Sequence, residues 1–150
     1  MGRKSIADIR REEIIAALFE VVAHKGFLKA SMREIARAAG CSQGMLHHYF
    51  ENKEALVLGA LEHMVTSYTS EIQAEIAKRT SAIEQMEFLF AWFLDLERFD
   101  LKFSQAWMEF WSLSKTNPAV AEALTTCYRT LKGIISETIR HGIETKEFRA

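Results

Sequence analysis

The chain has 150 residues, 49% of them hydrophobic and 26% charged, with a formal net charge of −1. That apolar share excludes a disordered chain, and seven Gly with a single Pro exclude collagen-like or low-complexity material. A charge this near zero gives no global attraction to nucleic acid or anionic membrane, so any such signal has to be local.

The length suits one globular domain, or two small ones sharing a core. Charge is uneven along it: residues 1–55 hold nine Lys/Arg (Arg3, Lys4, Arg10, Arg11, Lys25, Lys29, Arg33, Arg37, Lys53) against seven Asp/Glu. Residues 56–150 hold ten against thirteen, so the N-terminal end is the one to inspect for a polyanion partner. Cys41 and Cys127 make neither a disulfide framework nor a metal-ligand spacing and read as two reduced thiols. No cofactor or metal is expected. The opening MGRKSIADIRREE turns charged and helical instead of leading into an apolar signal core. The longest apolar run, residues 88–94, is too short to span a bilayer. An intracellular protein with no membrane partner is expected.

From about residue 8 to 24, Ile14, Ala17, Leu18, Val21 and Val22 recur as one helical stripe, and Gly26 ends it as a C-terminal cap. Ser31 and Glu34 form a capping box that opens a short helix with Met32, Ile35, Ala36 and Ala39 on its buried face. Gly40 stops that helix, and Ser42 caps a third that runs to about residue 50. At 100° per residue, Gln43, Gly44, His47 and His48 share one sector of the third helix, while Met45, Leu46, Tyr49 and Phe50 share the other. The second sector is expected to dock and the first to face outward.

Asn52 then caps a helix of about residues 53–78, with Val57, Leu61, Met64, Val65, Tyr68, Ile72 and Ile76 as its stripe. Ser81 and Glu84 form a second capping box ahead of a helix rich in large side chains. A further helix over residues 101–114 carries Phe103, Trp107, Met108, Phe110 and Trp111. Asn117-Pro118 begins a last long helix in which Val120, Leu124, Leu131, Ile135 and Ile139 recur. No segment alternates with period two, so the fold class is all-α. The boundary is placed after residue 53, with an N-terminal three-helix part over 1–53 and a C-terminal helical bundle over 54–150.

Two short helices joined by Ala39-Gly40-Cys41-Ser42, the second with an exposed polar face, make a helix-turn-helix. Such a helix fits the major groove, where His, Gln and backbone groups reach base edges. Helix starts at Ser31, Ser42 and Asn52 offer free N–H groups to phosphates. Lys53 stands in the first turn of the long helix, where a cation opposes the helix dipole and a phosphate would offset it. Arg3, Lys4, Arg10 and Arg11 are placed to form a basic arm.

The stretch SMREIARAAGCSQGMLHHYFENKEAL resembles the DNA-binding signature of the tetracycline-repressor (TetR) family of bacterial transcription regulators. The likeness is strong over residues 10–65, and HYF with the later AWMEFWSLSKTNPAV is similar to the betaine/choline-responsive BetI type. Carried over by position, it implies phosphate contacts from Ser31, His47, Tyr49 and Lys53, and base contacts from Arg33, Gln43, Gly44 and His48. Ser42 and Met45 join the DNA-binding set, Met45 being either buried or against a thymine methyl. Position 47, commonly Tyr in the family, is His here, which would make binding pH-dependent.

The resemblance further implies a homodimer on a palindromic operator, most simply a repressor, acting at the bacterial nucleoid in the cytoplasm. Release would come from a small-molecule effector, a quaternary ammonium or another hydrophobic compound. Trp92, Phe93, Phe103, Trp107, Phe110 and Trp111 are either bundle core or a cation-binding cage, with Asp95, Glu97 or Glu109 as counter-charge. Trp92, Phe103, Trp107, Phe110 and Trp111 are the pocket candidates. Family members resembling this chain continue into a further long helix, so the C-terminal bundle is expected to be incomplete. No phosphate loop, zinc motif or nucleophile triad supports an enzyme. The alternative is a helical ligand-binding or protein-interaction module that does not bind DNA.

Overall fold

The computed structural model describes residues 5–149. Seven helices and no strand form among them: α1 (Ile6–Lys25), α2 (Met32–Ala38), α3 (Gln43–Tyr49), α4 (Lys53–Ile76), α5 (Ala82–Phe93), α6 (Leu101–Ser114) and α7 (Pro118–Glu144). This is the all-α class that the apolar periodicities predict. No helix is long and apolar enough to cross a membrane among the described residues.

The chain packs as two compact units. The first joins the residues up to 60 with residues 100–121, and the second joins residues 61–99 with those from 122 onward. The expected boundary after residue 53 therefore does not coincide with the packing units, because α6 packs on α1. Phe19 of α1 explains this: it stacks on Phe103 at 5.5 Å and meets Phe110 edge-on at 5.4 Å.

Local signals set the helix ends of the first unit. Ser5 and Asp8 close a capping box ahead of α1, and the Gly26 N–H, at φ 77°, bonds the Val22 carbonyl. The predicted Ser31–Glu34 box is formed at the start of α2. Beyond α2, Gly40 at φ 62° lets its own N–H reach Arg37 O while Cys41 N–H reaches Ala36 O. That paired closure needs a left-handed residue, which glycine adopts without a Cβ penalty. Ile14, Leu18, Val22, Ile35, Leu46, Leu56, Val57 and Phe110 are fully buried.

In the second unit, Ile72, Leu89 and Trp92 are buried together, with Tyr68, Ile76, Phe88, Phe93, Phe99, Leu131 and Ile135 packed around them. The start of α5 departs from expectation. Ser81 Oγ accepts the Ile83 N–H, but Glu84 does not complete a box. Glu147 takes that place instead, accepting the Ala82 N–H at 3.1 Å, the Ile83 N–H at 3.3 Å and the Ser81 hydroxyl. Two carboxylate oxygens on several free donors outcompete a side chain that would have to fold back on its own helix. These bonds hold the Glu147 carboxyl down at about 2. Lys146 at φ 63° turns the chain to deliver it.

Candidate nucleic-acid interface

The loop between α1 and α2 is held from two sides. Glu109 of α6 accepts the Phe27 N–H at 2.8 Å. Lys53, the first residue of α4, donates to Phe27 O at 2.6 Å and Ala30 O at 2.8 Å, with its ammonium 4.2 Å from the Phe27 ring centroid. One peptide segment thus has its donor fixed by α6 and its acceptor by α4. Burial pushes the Lys53 pKa down. An ammonium has three N–H donors, and two of them are spent inside the protein.

α3 is seated by few residues. Leu46 is fully buried and Phe50, just past its end, is 3% exposed, with the Arg11 guanidinium 4.8 Å above the Phe50 ring. Gly59 of α4 lets Phe50 in so closely that a Cβ there would stand 2.6 Å from Phe50 Cε1. Ser42 Oγ accepts the Met45 N–H at 3.1 Å, fixing the first turn. Gln43, Gly44, His47 and His48 are exposed as predicted, as are Ser42 and Arg33, and Tyr49 is half-buried with its ring edge-on to His48 at 5.4 Å. Met45 is 43% exposed, so it is not part of the docked side that the helical-wheel arithmetic gave it. A seven-residue helix held at Leu46 and Phe50 leaves the other edge of that sector in the open.

Three expected phosphate contacts carry internal bonds. Ser31 accepts the Glu34 N–H and donates its own hydroxyl to Glu34 Oε2 at 2.9 Å, so its hydrogen is already placed. Glu34 also pairs with Lys25, and these bonds, Lys25 first, hold its carboxyl at about 2. His47 Nδ1 lies 3.0 Å from the Glu51 carbonyl, which can only accept, so Nδ1 carries a proton and Nε2 faces away from that bond. Lys53 is the third. Of the expected basic arm, Arg3 and Lys4 lie outside the described residues. Arg10 and Arg11 belong to α1, where Arg10 pairs with Glu13 at 2.6 Å and Arg11 covers Phe50, so neither forms a free arm.

The pocket candidates are divided between the units. In the first, Phe110 is fully buried, Phe103 stacks on Trp107 at 5.8 Å, and Trp111 is 43% exposed. Trp92 lies in the second, 5% exposed, ringed by Tyr68 at 5.1 Å, Phe93 at 5.2 Å and Phe99 at 5.3 Å. Glu109 is committed to Phe27, and Asp95 Oδ1 accepts the N–H groups of Glu97 and Arg98. The carboxylate on the aromatic cluster is instead Glu71, which accepts the Trp92 indole N–H at 3.1 Å and forks onto Arg98. The signal for Glu71 was its place three residues after Tyr68 on the same face of α4.

With this geometry, the sequence comparisons fall into register. Residues 14–60 match the family model for bacterial regulatory proteins of the tetR family, and residues 82–150 match the model for the C-terminal part of BetI-type transcriptional repressors. The chain belongs to the TetR family of bacterial regulatory proteins. Among curated relatives, the HTH-type transcriptional regulator BetI of Rhizobium meliloti is 26% identical over 132 residues, 88% of this chain and 65% of that protein. BetI of Ectopseudomonas mendocina is 29% identical over 126 residues, covering 80% and 62%. The chain spans less than two thirds of either relative. Both are transcriptional regulators, not enzymes.

Solved structures agree on the fold. A transcriptional regulator from Saccharomonospora viridis in complex with choline superimposes with a TM-score of 0.74 at 25% identity, over 90% of this chain and 70% of that one. The fatty acid degradation regulator FadR from Bacillus halodurans gives 0.78 at 23% identity, over 91% and 73%.

Proposed function

We propose that the protein is a ligand-responsive transcriptional repressor that binds a palindromic DNA operator as a homodimer. The observation that carries this reading is the outer side of α3. Gln43, Gly44, Met45, His47 and His48 are all exposed on a helix whose attachment rests on Leu46 and Phe50. A side with polar donors and acceptors, one small residue and one apolar contact suits base edges, including a thymine methyl for Met45.

Arg33, Gln43, Gly44 and His48 read bases in this scheme. Ser42, His47, Tyr49 and the third N–H of Lys53 hold phosphates, which position the helix without carrying sequence information; Ser31, whose N–H and hydroxyl both go to Glu34, serves the α2 cap instead. Two copies present their recognition helices to successive major grooves, about 34–36 Å apart. The small-molecule effector, a quaternary ammonium or another hydrophobic compound, is taken up by the C-terminal helices. The choline bound to the Saccharomonospora viridis regulator supports an organic cation among the candidates. α4 runs through residues of both units, and effector binding acts on DNA through it by the difference in affinity for two conformations.

The test is a selection of genomic DNA fragments with the purified protein, followed by mobility shifts on the enriched sequence. Gln43→Ala and His48→Ala are each expected to lower specific affinity while leaving binding to random DNA in place. Unchanged specific binding by both variants removes them from the base-reading set, and no enrichment at all returns the protein to a module without DNA binding.

A further inference from the structure

The second unit holds a charged assembly that the DNA-reading scheme does not use. Arg98 Nη1 and Nη2 donate to Glu71 Oε2 at 2.8 Å and Oε1 at 2.7 Å, a parallel fork of the kind that carboxylates make with planar cations. The guanidinium carbon stands 4.8 Å from the Trp92 ring centroid and 6.0 Å from that of Tyr68. Phe99 meets both rings edge-on, at 5.3 Å and 6.0 Å. Aromatic faces, a carboxylate fork and burial are the full set of features that recognise an organic cation, and here the cation belongs to the same chain.

Two observations mark Arg98 as an exchangeable occupant. It comes from the connection between α5 and α6, where Leu94 and Leu96 are 72% and 81% exposed while Phe99 is packed and Asp95 holds the Arg98 N–H, so a long side chain can leave without moving the backbone that carries it. Its Nε is also buried without a hydrogen-bond partner, because the nearest Asp95 oxygen lies 3.7 Å away. A buried donor left unpaired costs free energy that a better-placed occupant would recover. A free guanidinium compound, not tied to the backbone at residue 98, can turn its third nitrogen toward Asp95.

We propose that Tyr68, Glu71, Trp92 and Phe99 form a binding site for a small cation of the alkylguanidinium class, which Arg98 fills in the ligand-free chain and which the ligand enters by displacing Arg98. Arg98 then acts as an internal competitor. The apparent affinity of the ligand is reduced by the fraction of molecules in which the arginine side chain is out. Any link from this site to DNA binding rests on the reading of the C-terminal helices as an effector-binding part; the site itself is tested without DNA.

Methylguanidinium chloride is titrated into the purified protein and into Arg98→Ala at constant ionic strength. The readout is the Trp92 indole N–H resonance, assigned with Trp92→Phe. N-methylurea, neutral and of similar shape, and tetramethylammonium, a cation without N–H donors, serve as controls. A saturable shift is expected in Arg98→Ala, at a ligand concentration at least about tenfold below that for the unaltered chain. Glu71→Gln is expected to abolish the shift in either background. No saturable shift in either protein overturns the proposal. So does equal affinity for both proteins, an equal response to N-methylurea, or a response to tetramethylammonium without one to methylguanidinium. If Arg98→Ala does not fold, the unaltered chain decides: a saturable shift that Glu71→Gln removes supports the site, and none overturns it. Because no operator enters these measurements, their failure leaves the DNA-binding reading standing, and failure to bind DNA leaves the cation site standing.

Discussion

Replacing Lys53 with Met removes an ammonium while keeping most of its buried stem. The lost interactions are the bonds to Phe27 O at 2.6 Å and Ala30 O at 2.8 Å, and the cation over the Phe27 ring at 4.2 Å. Hydrogen bonds from a charged donor contribute about 1.5–3 kcal/mol each, and a partly exposed cation–π contact about 0.5–1 kcal/mol. The burial that lowers the Lys53 pKa is a cost which Met does not bear, and the two bonds share one donor group, so the sum overstates the loss. A net destabilisation of about 2–3 kcal/mol follows, which for a chain of this size lowers Tm by about 5–10 °C. The assay is thermal unfolding followed by far-ultraviolet circular dichroism, with urea unfolding as a check on the free energy. Melting within about 2 °C of the unaltered protein refutes the reasoning, because two such bonds would then add nothing over water. The same variant separates two roles for Lys53: its third N–H, if it holds a phosphate, makes the salt dependence of DNA binding shallower by about one unit of slope. An unchanged slope assigns the residue to the loop alone.

Three further outcomes follow from the same structure. Glu147→Gln removes the carboxylate whose pKa is about 2 against an ordinary 4.5. A folded pKa below the unfolded one gives stability that is present above about pH 4.5 and lost toward pH 2, so the Tm gap between variant and parent is expected to narrow across that window; a gap that stays constant refutes the assignment. Gly59→Ala puts a Cβ 2.6 Å from Phe50 Cε1 and 3.0 Å from Arg11 Nη2. Overpacking of about 1–3 kcal/mol is expected to exceed the helix-propensity gain of about 1 kcal/mol, lowering the urea midpoint, whereas a raised midpoint means that Phe50 yields freely. His47 donates its Nδ1–H to Glu51 O, which fixes the imidazole beside the exposed side of α3. His47→Ala is expected to weaken binding to operator and to random DNA alike by about tenfold, measured by fluorescence anisotropy. Unchanged binding to both removes it from the phosphate set.

What could be read in advance was what depends on near neighbours. Ser31 with Glu34, Gly40, Ser42, Asn52 and Asn117 each act on backbone groups a few residues away, and each stands where the spacing put it. The Ser81–Glu84 motif has the same form, yet Glu147, 66 positions from Ser81, supplies the carboxylate. Nothing local distinguishes the two cases. The clamp on Phe27 joins positions 82 apart, and the Glu71–Arg98 fork joins positions 27 apart across α5. Tertiary packing decides such pairs, and helical periodicity carries no information about them. The aromatic stripes were visible, but their division was not. Phe103, Trp107 and Phe110 serve the side of α6 that meets α1, while Trp92 belongs to another core. Met45 shows the limit of wheel arithmetic on a helix of two turns, where a sector is wider than the contact that fills it.

The shallow seating of α3 bears on how such a protein changes over generations. With Leu46 and Phe50 carrying the attachment, the side chains at 43, 44, 45, 47 and 48 contribute almost nothing to the core. Substitutions there alter what the surface can recognise at little cost in folding, since exposed positions away from caps and networks usually shift stability by no more than about 0.5 kcal/mol. The Ser42 cap and the Phe27 clamp stay in place throughout. If the protein reads DNA as proposed, its preference for a sequence is free to drift, or to be redirected in the laboratory, one side chain at a time on an unchanged frame.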